Sequence, residues 1–133
     1  MFFLGKKPAS VQPATTTQRG RAGEDQALAY LQSQGLRLLE RNYRTPGRGG
    51  GEIDLILQEP DGTVVFVEVR CRSHRDFGGA GGSIGVAKQR RMLLAARHWL
   101  LSHGRQVACR LDVVLIDSMQ LQWLPAAFDA QGT

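Results

Sequence analysis

A chain of 133 residues with 42% hydrophobic and 22% charged side chains has room for one domain with a real core, and too little for two of ordinary size. The balance is that of a soluble globular protein, and no run is long enough to cross a bilayer as a helix. Of the formal net charge of +5, residues 1–21 carry +4 through Lys6, Lys7, Arg19 and Arg21, so the remainder is close to neutral and total charge alone does not argue for nucleic acid.

The short apolar run from Met1 to Leu4 precedes Lys6 and Lys7. A secretory signal has the reverse order and a longer apolar stretch, so no export signal is expected. Cys71 and Cys109 lack metal-ligand spacing and read as reduced thiols of a cytoplasmic protein, with a disulfide between them as the lesser reading.

Residues 1–20, rich in Pro, Thr, Gln, Ala and Ser, read as a disordered basic tail. They precede a single domain over 21–125, and a short tail follows at 126–133. From Ala22 to Gln34 the periodicity predicts a helix, stopped by Gly35. LRLLERNYR (36–44) alternates weakly as a strand, and TPGRGGG (45–51) is a turn. EIDLIL (52–57) predicts a second strand, with Ile53, Leu55 and Leu57 on one face and Glu52, Asp54 and Ile56 on the other.

EPDG (59–62) supplies turn residues, so VVFVEVRCR (64–72) returns as the other arm of a hairpin. Glu68, Arg70 and Arg72 share a face of that arm with Val64 and Phe66. SHRDFGGAGGSIG (73–85) is a glycine-rich loop without phosphate-loop or dinucleotide-fold spacing, and reads as a connection or a mobile flap. VAKQRRMLLAARHWLLS (86–102) predicts a strong amphipathic helix closed by His103-Gly104. CRLDVVLID (109–117) is a fourth strand and LQWL (121–124) a short fifth. The order α-β-β-β-α-β-β implies an α/β fold with helices covering a sheet.

Four acids sit on elements that otherwise look buried: Glu24 in the stripe of Ala27, Leu28 and Leu31, Asp54, Glu68, and Asp112 within LDVVLI. In a hairpin Asp54 can approach Glu68, since facing side chains lie about 5 Å apart. Ionised carboxylates held together out of water repel, and each costs several kcal/mol to desolvate, to order of magnitude. Either Arg70, Arg72 or Arg110 pairs with them in a structural network, or a hard divalent cation does so while keeping water for chemistry.

Basic residues concentrate over 70–97: Arg70, Arg72, Arg75, Lys88, Arg90, Arg91 and Arg97 against Asp76 alone. Lys88, Arg90 and Arg91 crowd a predicted helix N-terminus, where bases oppose the macrodipole but suit a phosphate. Lys88 also lines up with Met92, Ala95 and Trp99, so its stem is expected on the sheet side. Arg44 is a further candidate for nucleic-acid contact, and Tyr43 a weaker one for stacking on a base. Trp99 and Trp123 read as core, and His74, His98 and His103 as surface or packing residues.

GEIDLI, a hairpin, then FVEV and a basic residue resembles the PD-(D/E)xK nuclease superfamily with its restriction-endonuclease-like fold. Gly23-Glu24-Asp25, Arg41-Asn42-Tyr43-Arg44, Gly51-Glu52-Ile53-Asp54-Leu55-Ile56, Phe66-Val67-Glu68-Val69, Lys88-Gln89-Arg90-Arg91 and Leu111-Asp112-Val113-Val114 more closely resemble the small bacterial YraN family, usually compared with Holliday-junction resolvases. The resemblance implies a mixed sheet flanked by helices and a nuclease-like protein acting on DNA, branched or otherwise structured. It makes Asp54, Glu68 and the Val69 carbonyl ligands of Mg²⁺ or Mn²⁺, and Glu24 the additional acid. A homodimer is expected because a junction has two strands to cut.

The motif lysine position falls on Arg70. Arginine stays protonated, so it cannot abstract a proton, though it can hold a phosphate oxygen. The departure leaves open a non-catalytic nucleic-acid-binding module of the same fold, or an interaction domain with a structural salt-bridge cluster.

Overall fold

The computed structural model describes residues 16–47, 50–71, 84–104, 106–117 and 120–128. They form helix α1 (Thr16–Ser33), strands β1 (Arg37–Arg44), β2 (Glu52–Gln58) and β3 (Val64–Cys71), helix α2 (Val86–Ser102), and strands β4 (Cys109–Ile116) and β5 (Leu121–Phe128). The expected α-β-β-β-α-β-β order is what the chain adopts. One five-stranded sheet runs β1-β2-β3-β4-β5. Its first three strands are an antiparallel meander, β3 and β4 run parallel, and β5 returns antiparallel to β4. The parallel step needs a long crossover, and α2 lies within it.

The sheet is a mixed one with a helix on each face. Toward α1, Ala27, Leu31 and Leu36 pack on Leu55, Leu57, Val65, Val67, Val114 and Ile116. Toward α2, Met92, Ala95, Ala96 and Trp99 pack on Ile53, Ile56, Val64, Phe66, Leu111, Val113 and Leu115. Trp99 meets Phe66 edge to face and donates its indole N–H to Glu40. No helix among the described residues is long and apolar enough to cross a membrane.

Local signals set most boundaries. Gly35, at φ 98°, closes α1: Leu36 N–H reaches the Leu31 carbonyl and Gly35 N–H that of Gln32, with Leu31 and Leu36 packed together. The predicted hairpin is present, with Gly62 at φ 97° and the Thr63 N–H bonded to Asp61. Two boundaries differ from expectation. Helix α1 starts at Thr16 rather than Ala22, because after Pro13 only Gly20, a cost of about 1 kcal/mol, opposes it. The predicted 1–20 tail thus overlaps α1 at 16–20, and residues 1–15 lie outside the described residues, as do 129–133 of the predicted C-terminal tail. Strand β5 continues past Leu124 to Phe128, on the sheet edge where Pro125 is tolerated.

The predicted faces of β2 need correction. Ile53 packs toward α2 with Ile56, while Leu55 and Leu57 pack toward α1. Strict alternation therefore breaks between Ile53 and Leu55, at Asp54.

Candidate active site

The break at Asp54 begins with the register. The β2–β3 ladder pairs Gln58 with Val64, Leu57 with Val65, Ile56 with Phe66 and Leu55 with Val67. One step further would set Asp54 opposite Glu68, but there the ladder ends. Val69 N–H, one residue past Glu68, donates instead to Asp54 Oδ2 at 2.8 Å. On the other side of β2, Asn42 adopts φ 53° between the pairs Arg41–Leu55 and Tyr43–Ile53, a left-handed conformation that Asn tolerates better than most residues. Both neighbours of Asp54 thus depart from regular pairing, and its carboxylate substitutes for a strand partner.

Asp54 and Glu68 meet as expected. Each acts on the other electrostatically, and two carboxylates held together out of water favour keeping a proton. Burial, and next the Glu68 charge, push Asp54 up to about 7 against its ordinary 3.8. Burial also raises Glu68, opposed first by Lys88. Glu68 faces α2, as its place in line with Val64 and Phe66 predicted. Lys88 Nζ, from the first turn of that helix, lies 3.4 Å from Glu68 Oε2. Arg70 contributes a weaker favourable charge to Glu68.

Glu24 stands one step away. Gly23 seats this turn of α1 against β3, where a Cβ would overlap the Cys71 sulfur. Burial, then the Asp54 charge, raise Glu24, so the two carboxylates feel one another. Glu24 is nevertheless held by Arg41 at 3.5 Å, and Arg41 is tied more closely to Asp25 at 2.8 Å. Arg21, Glu24, Asp25, Arg41 and Asn42 line a cleft of about 340 Å³. The expected approach of three acids therefore resolves into a carboxylate pair with a third acid in electrostatic range.

The donor chemistry of the pair suits a divalent cation. Glu68 Oε1 is buried with no hydrogen-bond partner among the described residues, which costs on the order of 1–3 kcal/mol unless something positive or protic fills the gap. No three His, Cys, Asp or Glu side chains among the described residues lie close enough together to hold an ion. An ion here would take one or two carboxylates and keep several waters, which is the habit of magnesium. Asp54 and Glu68 are the side chains that could hold it.

Asp112, the fourth acid, belongs to a different place. It is fully buried and accepts from Arg110 Nε at 3.0 Å, Trp123 Nε1 at 2.9 Å and the Ala126 N–H at 2.8 Å. Arg110 is also paired with Glu59. This is the structural network that the sequence left open for all four acids, and it holds for Asp112. The carboxylate braces the irregularity at which β5 skips a register step, with Ala126 at φ 51°.

The basic candidates divide. Arg90 and Arg91 are exposed, and Arg44 is 76% exposed beside Glu52 at 3.8 Å. Arg72, His74 and the 73–83 part of the predicted flap lie outside the described residues. Lys88 belongs with the carboxylates, as the sheet-side stripe forecast. Tyr43 is not displayed for stacking on a base: its hydroxyl bonds His98 Nδ1, and its ring packs against the α2-side core. His98 and His103 are packing residues, the latter stacked on Trp99. Neither Cys71 nor Cys109 forms a disulfide. Reading the sequence for chemistry missed Arg41 as the residue that holds Glu24; a basic residue on a neighbouring strand carries no periodic signal of its own.

The family described as "Uncharacterised protein family UPF0102" matches residues 23–116, the span that holds Glu24, Asp54, Glu68 and Lys88. The chain belongs to UPF0102. The UPF0102 protein of Acidovorax sp. (strain JS42) is 64% identical over 131 residues, covering 98% of this chain and 99% of its own. The UPF0102 protein of Paracidovorax citrulli (strain AAC00-1) is 58% identical over 134 residues, covering 98% and 99%. Among solved structures, a chain of the "EndoMS-dsDNA2 complex" superposes with a TM-score of 0.40 at 17% identity, over 75% of this chain and 37% of that one, a likeness too slight to bear on function.

Proposed function

We propose that this UPF0102 chain is a divalent-metal-dependent nuclease acting on DNA, branched or otherwise structured, in the cytoplasm. The observation that carries the proposal is the Asp54–Glu68 pair at the opening between β2 and β3, with the buried Glu68 Oε1 lacking a partner among the described residues. Asp54, Glu68 and the Val69 carbonyl would hold Mg²⁺ or Mn²⁺. When bound, the ion supplies Lewis-acid polarisation of the phosphoryl oxygen and acidifies water.

The chain's own residues supply the rest. The Val69 N–H keeps Asp54 aimed at the pair. Glu24, raised by burial and by the Asp54 charge, is the additional acid, in electrostatic range of Asp54. Arg70 adds fixed positive charge beside Glu68. Arg44, Arg90 and Arg91 are exposed and add positive charge that a phosphate backbone would meet, with Arg72 a further candidate by sequence alone. Two strands to be cut call for two such sites, so the active form would be a homodimer.

A second reading, a binding module that has lost cleavage, is favoured by Arg70 at the motif lysine position. The test is a titration of Mg²⁺ and of Mn²⁺ against thermal stability. The native chain should gain a metal-dependent rise, following RT ln(1 + [L]/Kd), and Asp54→Ala should lose it. Absence of a rise in the native chain would remove the nuclease reading. Gel shifts with linear and four-way DNA at two salt concentrations then separate a binding module, whose affinity falls with salt, from an interaction domain that binds neither.

A further inference from the structure

The carboxylate pair has a cation that its own strand does not provide. Position 70, where the resemblance calls for lysine, is Arg70, and its charge is the weaker one acting on Glu68. The stronger comes from across the layer: Lys88 Nζ is 3.4 Å from Glu68 Oε2, with its side chain 28% exposed and that of Glu68 8% exposed. This placement is built into the fold. Lys88 is one turn before the fully buried Met92, so its stem runs along the sheet side of α2. Gly51 lets that helix come close, because a Cβ there would overlap the Arg91 carbonyl.

An ammonium has three N–H donors. Glu68 accepts from one, and the partial exposure leaves the others open to a group approaching from solvent. We propose that Lys88 is the phosphate-contacting lysine of this site: its ammonium, steadied by Glu68, donates to a non-bridging oxygen of the phosphodiester lying over Asp54 and Glu68. Helix α2 thereby supplies the lysine that strand β3 lacks. The inference rests on the nuclease reading and adds the residue that positions the scissile phosphate. It also separates Lys88 from Arg90 and Arg91, which are exposed on the same turn and meet phosphates only as part of the surface field.

The test compares Lys88→Met, Lys88→Arg and Arg70→Met in the full chain, each confirmed as folded at the assay temperature by a cooperative thermal melt. Methionine keeps an unbranched stem for packing. Binding of a four-way DNA junction is measured in Ca²⁺ over a salt series, and junction cleavage in Mg²⁺. For Lys88→Met, the slope of log K against log salt should fall by about 0.9, the loss of one phosphate contact. Cleavage should drop about 100-fold or more. Its Mg²⁺-induced thermal shift should persist, since Asp54 and Glu68 remain. Lys88→Arg should restore the slope. An unchanged slope and rate in Lys88→Met, or losses confined to Arg70→Met, overturn the inference while leaving the nuclease reading in place. A native chain that neither binds the junction nor responds to Mg²⁺ overturns that reading, and the inference with it.

Discussion

The backbone N–H of Val69 donates to Asp54 Oδ2 at 2.8 Å, at the point where the ladder between β2 and β3 ends. A side chain thus completes what a strand carbonyl would otherwise do. This tether keeps a carboxylate beside Glu68 that charge repulsion would expel.

Stability should fall as the pH rises through the range in which Asp54 titrates. Its ordinary value is 3.8, and burial and Glu68 raise it to about 7 in the folded chain. Between the two, the folded chain holds a proton that the unfolded chain has released, so folding weakens with rising pH and levels off above about 7. Glu24 and Glu68 are raised in the same direction, while Lys88, Arg70 and Arg41 oppose the loss. After discounting for partial exposure, the drop is on the order of 2 kcal/mol. Metal-free unfolding midpoints at about pH 5 and about pH 8 check it. Asp54→Asn should flatten the profile, and a native midpoint that climbs between those values would contradict the burial of this pair.

Asp112→Ala should destabilise by about 3–5 kcal/mol, because Arg110, Trp123 and the Ala126 N–H all lose their acceptor inside the protein. The Mg²⁺-dependent rise of whatever folded fraction remains should match that of the native chain. Denaturant unfolding with and without Mg²⁺ measures both. A lost metal response in a folded Asp112→Ala protein would return this residue to the site.

Two glycines should respond in opposite senses to the same substitution. Gly51→Ala forces a methyl group into the Arg91 carbonyl of α2, an overpacking worth about 1–3 kcal/mol or more. It should also weaken the Lys88–Glu68 pairing by pushing the helix away. Gly20→Ala meets nothing within 4 Å and lies inside α1, so it should stabilise by about 0.5–1 kcal/mol. Paired thermal melts decide, and a harmless Gly51→Ala would mean that α2 does not sit this close to β2.

Much of the arrangement could be read from local pattern. The α1 stripe of Ala27, Leu28 and Leu31 with Glu24 on its margin, the Gly35 stop, the EPDG hairpin and the alternation that puts Glu68 with Val64 and Phe66 are short-range consequences of helix and strand geometry. The hairpin reading already allowed Asp54 to approach Glu68. Local pattern failed where one residue broke its own period. Ile53 and Leu55 were expected on the same face, and Asn42 carried no mark of its left-handed backbone. Tyr43, read as a weaker candidate for stacking on a base, turned to His98, a partner 55 residues away along the chain.

What the sequence determined by itself was the order of elements, their buried faces apart from that of β2 before Asp54, and a set of acids too costly to bury alone. Only the tertiary structure decided which charge answers which. Asp112 is satisfied by Arg110 and Trp123, Glu24 by Arg41, and Glu68 by a lysine from the opposite layer, with its Oε1 left without a hydrogen-bond partner among the described residues. The reason is physical: periodicity follows from backbone geometry within a few residues, whereas compensation of a buried charge depends on whatever the packed layers bring within about 4 Å, at any distance along the chain.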